Sequence, residues 1–108
     1  MAVWRATSVR EAPRVELLQW RIMETDRGTR HFVGRDARHF RGRVSSAICD
    51  FDRHAMRGQT SSGRVYQLIG PAGFAGVAEY VWTIWCSVNA VKEHSDVTEE
   101  ATTCDGDQ

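Results

Sequence analysis

The chain has 108 residues, 42% hydrophobic and 26% charged, with 14 basic side chains against 14 acidic ones. That length holds one small domain, and the apolar fraction is too high for a disordered charged tail. No run approaches the roughly 20 apolar residues that a membrane span needs. The first 30 residues lack an uninterrupted apolar stretch, so no secretory leader is expected, and the cytoplasm is the expected compartment.

Neutrality is a total, not a local property. Residues 1–15 carry three Arg against Glu11, for +2; residues 16–93 carry ten Arg and Lys92 against eight acids, for +3; residues 94–108 carry five acids and no base, for −5. The last segment has no apolar period, and such a composition does not offset the entropy of ordering. The expected organisation is a flexible N-terminal extension over 1–14, a single α+β domain over 15–93, and an acidic disordered tail over 94–108.

Regular structure is expected to begin at Val15. Leu18, Trp20 and Ile22 alternate with Gln19 and Arg21, the pattern of a half-buried strand. Thr25-Asp26-Arg27-Gly28 is a turn, and Thr29–Val33 returns as the second strand of a hairpin. Gly34–Arg41 is charged and reads as a loop. Gly42–Phe51 reads as a third strand with small residues on both faces. After a turn at Asp52–Ala55, Met56–Thr60 and Arg64–Ile69 form a hairpin around Ser61-Ser62-Gly63, with Tyr66 and Leu68 sharing one face.

Gly70, Pro71, Gly73 and Gly76 then end the sheet. Their spacing lacks the Lys-Ser/Thr of a phosphate loop and does not meet the dinucleotide fingerprint. From Val77 the period becomes helical: Val77, Tyr80, Val81, Ile84, Trp85, Val88 and Val91 fall on one stripe. That stripe is expected to form the core, with Trp82, Cys86 and Asn89 on its flank. The fold class follows: an antiparallel β-meander of four to five strands with one C-terminal amphipathic helix packed on one face.

Cys49, Cys86 and Cys104 are odd in number and widely spaced, with no Cys-x-x-Cys pair, so neither a disulfide framework nor a zinc site is expected. No metal and no cofactor is expected. The sequence lacks nucleophile-elbow, paired-histidine zinc, Walker and kinase signatures. The best catalytic constellation is Asp50, Asp52 and His54 with Arg53, Arg57 and His31, which supports a small ribonuclease as a third reading. The first reading is a non-enzymatic binding protein acting through protein–protein contact, with a second copy of the chain as one such partner. Its expected contact residues are Arg21, Arg43, Arg57, Arg64 and, on the helix flank, Trp82. The alternative is a nucleic-acid-binding module using the same arginines; no membrane partner is expected.

Gly-Arg-Val-Ser-Ser-Ala-Ile at 42–48, Ser-Gly-Arg-Val-Tyr-Gln-Leu-Ile-Gly-Pro at 62–71 and Tyr-Val-Trp at 80–82 resemble small bacterial proteins of plasmids, prophages and other mobile DNA. The resemblance spans residues 18–91 and implies a context of accessory or inhibitory binding. It supplies no catalytic residues.

Overall fold

The computed structural model describes residues 13–103. The chain runs β1 (Arg14–Thr25), β2 (Arg30–Asp36), β3 (Gly42–Val44), β4 (Ile48–Asp52), β5 (Arg57–Thr60), β6 (Val65–Leu68), α1 (Gly76–Val88), β7 (His94–Asp96) and α2 (Thr98–Thr102). The architecture is α+β, with a mixed, mostly antiparallel sheet and two helices. It is larger than the expected meander: the order is β3-β2-β1-β6-β5-β4, with β7 paired to β1. The β1–β6 pair is parallel, which a chain of hairpins cannot produce.

Both expected hairpins are present. The first closes at Thr25–Gly28, where Gly28 takes φ 84° and its amide donates to Thr25 O at 3.0 Å. The second pairs Arg57 with Gln67 and Gln59 with Val65, and buries Tyr66 and Leu68 on one face as their alternation requires.

In β1 the simple alternation fails. Gln19 adopts φ 49°, and the β1–β2 register shifts between Leu18 and Arg21. This bulge places one extra residue in β1 and moves the inward set by one place. Val15 and Leu17 face inward before it, Trp20 and Ile22 after it, and Leu18 is displaced to a partly buried position.

The expected third strand is split. Ser45, Ser46 and Ala47 join β3 to β4, although these two strands sit at opposite ends of the six-strand path. Four Cα steps from Val44 to Ile48 span at most about 15 Å, whereas the edges of a flat six-strand path lie about 24 Å apart. The sheet must therefore curl until its edges approach. Phe32 of β2 reaches Phe51 of β4, ring centroids 5.7 Å apart, and Tyr66 of β6 at 5.5 Å.

The curl makes two apolar layers. Inside it lie Val15, Leu17, Trp20, Ile22, Phe32, Tyr66 and Leu68, closed from the C-terminal side by Val97. On the convex side, Met23 and Val33 meet Ala75, Ala78, Trp82 and Cys86. Adjacent residues such as Ile22 and Met23, or Phe32 and Val33, serve opposite layers, so β1 and β2 are buried on both faces. The open wet sheet face expected from the sequence is absent there.

Residues 94–103 also depart from expectation. β7 pairs with the end of β1, and α2 follows it. Val97 is buried, Ile22 N donates to Thr98 Oγ1 at 2.9 Å, and Arg30 pairs with Glu100 at 3.0 Å. The acidic composition hid one apolar anchor and two arginine partners. The rest of the expected tail, 104–108, and residues 1–12 of the expected N-terminal extension lie outside the described residues.

The largest correction concerns α1. Its buried residues are Ala78, Trp82 and Cys86, placed beforehand on the flank or not assigned at all. Trp82 is 0% exposed, whereas Tyr80 is 68% exposed and Val77 and Val88 are exposed with it. Small residues at 78 and 86 let the helix approach the sheet closely enough to bury a whole indole between them. Trp85 stays partly buried, stacked on Trp82 with centroids 5.3 Å apart.

Candidate functional site

The stripe expected to seal the core instead lines a half-open groove of about 730 Å³. That volume falls within the range of ligand-binding clefts. One wall is apolar and comes from α1: Val77, Tyr80, Val81, Ile84 and Trp85. The other is polar and cationic, formed by Arg41, Arg43 and Arg64 with Tyr66, Asp36 and His39.

β3 separates the two walls, and its sequence explains how. Gly42 lies directly beneath α1: an added Cβ would stand 2.3 Å from Val77 O and 2.9 Å from Ala78 Cα. Only glycine permits that approach. Val44 packs against the layer under α1. Strand alternation then sends Arg43 to the opposite side, where its Nε donates to Tyr66 Oη at 3.3 Å and its Nη1 lies 3.5 Å from Asp36 Oδ2. Its guanidinium carbon sits 6.0 Å from the Tyr66 ring centroid. Its Nη2 is buried and has no acceptor among the described residues.

The surrounding loops are fixed by short-range bonds. Asp36 Oδ1 accepts from the amides of Arg38 and His39 at 2.8 and 3.2 Å, folding residues 37–41 back over β2. Phe40, at φ 57°, lies exposed beneath the Arg35 guanidinium at 5.2 Å. On the far side, Ser62 N donates to Ser46 Oγ at 3.2 Å and Ser61 N to Ala47 O at 2.8 Å. These bonds tie the β5–β6 turn, and Arg64 beside it, to the β3–β4 connection.

His31 supports the apolar wall from behind. Its ring lies 4.6 Å from that of Trp85. Nδ1 is 2.9 Å from Ser45 O, which can only accept, so Nδ1 carries the proton and Nε2 accepts from Thr29 Oγ1 at 2.9 Å. Burial holds this imidazole below its ordinary pKa, against a smaller upward pull from the Ser45 and Ser46 carbonyls.

Of the five expected contact residues, Arg43 and Arg64 line the groove. Arg21 is committed elsewhere: it pairs with Glu79 of α1 and with Asp96 of β7, clamping helix and strand onto β1. Arg57 sits exposed on β5 with Nη1 3.4 Å from Gln67 Oε1, outside the groove. Trp82 is wholly buried and cannot touch a partner. Tyr80, Val77 and Arg41 were missed; the signal for the first two was their place on a helix already apolar on its opposite side. Of the ribonuclease constellation, Asp52, His54 and Arg57 stand together at the β4–β5 hairpin, where the His54 amide donates to Asp52 Oδ1, while His31 lies apart, buried behind Trp85.

Comparisons with known protein families, with curated proteins and with solved structures found no match. The resemblance to mobile-element proteins rests on the quoted residues alone. No helix among the described residues is long and apolar enough to cross a membrane.

Proposed function

We propose that the protein is a non-enzymatic binding module acting through protein–protein contact, and that the groove between α1 and the arginines beside β3 receives a segment of its partner. One observation carries this reading. α1 is apolar over most of its circumference, broken by Glu79, Thr83 and Ser87, yet among the described residues of its apolar set Ala78, Trp82 and Cys86 alone are buried, Val81, Ile84 and Trp85 are half-buried, and Val77, Tyr80 and Val88 are exposed. A helix apolar all round belongs in an interior. Exposed apolar patches rimmed by polar groups mark interaction surfaces, and Tyr and Arg are enriched where interfaces concentrate their binding energy.

Nucleic-acid binding is the competing reading, drawn from Arg41, Arg43 and Arg64. The exposed rings of Phe40 and Tyr80 suit base stacking as well, but the rest of the helix wall, Val77, Val81 and Ile84, is aliphatic and offers a base no ring face. The two readings separate by salt. Selection of displayed random peptides on the immobilised protein should return binders whose affinity falls only gently between low and moderate salt, as a few carboxylate–arginine contacts require. Nucleic acid binding with affinity falling steeply over the same range, together with an empty peptide selection, would replace this reading with the other. Light scattering on the free protein reports whether a second copy already occupies the groove.

A further inference from the structure

The groove also offers backbone. β3 is an edge strand that, among the described residues, pairs with β2 alone. Asp36 N donates to Arg41 O, and Ser45 N donates to Phe32 O. An antiparallel ladder alternates, so residues 41, 43 and 45 direct their backbone groups at β2. The N–H and C=O of Gly42 and Val44 point away from it, and both residues line the groove.

We propose that the partner segment binds in extended form as a strand added to the free edge of β3, with apolar residues alternating with acidic ones. This rests on the reading of the groove as a polypeptide site and specifies its occupant. Main-chain bonds to Gly42 and Val44 hold such a strand in register, and side chains on either side of it supply selectivity. Because successive side chains of a strand take opposite faces, one set meets the apolar wall at Val77 and Val81. The other set meets Arg43. Arg41 and Arg43 against the carboxylate of Asp36 leave that wall cationic among the described residues. The buried Nη2 of Arg43, which has no acceptor among the described residues, finds one in an incoming carboxylate. A basic strand gains none of this.

The test uses short synthetic peptides and the full chain. Three peptides are compared: alternating Val and Glu, the same composition with Glu and Val in separate blocks, and alternating Val and Lys. Affinity and amide exchange are followed by NMR. The alternating acidic peptide should bind at least about tenfold more tightly than the other two, and should slow exchange at the Gly42 and Val44 amides. N-methylation of alternate peptide amides, or Arg43→Gln, should each weaken it by about tenfold. Arg41→Gln, at an exposed position, gives a second charge-removing variant should Arg43→Gln disturb folding. Equal affinity for the block peptide, with groove resonances shifting but Gly42 and Val44 exchanging as before, overturns strand addition and leaves the groove reading standing. If no peptide shifts any groove resonance, both are overturned. Protection of the two amides in the free protein that rises with its concentration assigns the edge to a second copy and also overturns the proposal.

Discussion

The two faces of α1 differ more than their composition suggests. One carries Ala78, Trp82 and Cys86, the other Val77, Tyr80, Val81 and Ile84, and a hydropathy reading prefers the second as the interior face. Packing chooses the first. A strand edge bearing Gly42 accepts a helix only at small residues, and between two of them a large indole fills the space left. Tyr80, about 160° round the helix from Trp82, is turned out. Burial is thus decided by how closely two backbones can approach, and the apolar residues left over become available for a partner.

This contrast can be broken most forcefully at Trp82. Trp82→Ala should cost about 3–5 kcal/mol in urea denaturation, as for a fully enclosed aromatic residue; a loss below about 1 kcal/mol would place the indole outside the core. Gly42→Ala should cost about 1–3 kcal/mol, because the new methyl meets the α1 backbone rather than a flexible side chain. An unchanged midpoint there would mean that α1 can ride further from β3 at no cost.

A subtler effect concerns His31, behind the same helix. Unfolded, its imidazole takes a proton at the ordinary value of 6.5; folded, burial holds it lower. Below pH 6.5 the unfolded chain therefore binds a proton that the folded chain refuses. The His31 contribution is complete above that pH and declines as pH falls, by at most about 1.4 kcal/mol per pH unit. Urea titrations of wild type and His31→Gln should diverge in slope on the acid side of 6.5, with the variant flatter. Parallel slopes would show that the ring is solvated. The smallest effect is chemical: in a Cys104→Ser background, Cys49 should react rapidly with a thiol reagent and Cys86 slowly, since one is exposed and burial raises the pKa of the other.

What the sequence made legible follows the range of the forces involved. Local alternation and turn chemistry located both hairpins, and the 3.6-residue period located α1. Three features escaped. The Gln19 bulge depends on a non-glycine residue held at positive φ by its neighbours, which no local propensity announces. The parallel β1–β6 pairing and the curl depend on Ser45–Ala47 bringing two sheet edges together. The order of residues 94–103 depends on Val97, Thr98 and Glu100 finding Ile22 and Arg30 at least 70 positions away. The site divided in the same way. Arg43 and Arg64 stand out as cations on strand-like segments, and both line the groove. Arg21 and Trp82 stand out equally, yet serve the interior and its clamp.

The central claim is that the outward stripe of α1 exists for contact and contributes little to the fold. Tyr80→Asp tests it most directly, with urea denaturation and peptide capture measured on the same preparation. The account predicts a stability change within about 0.5 kcal/mol and loss of capture. A large drop in stability would return Tyr80 to the core, and undiminished capture would move the binding site away from α1.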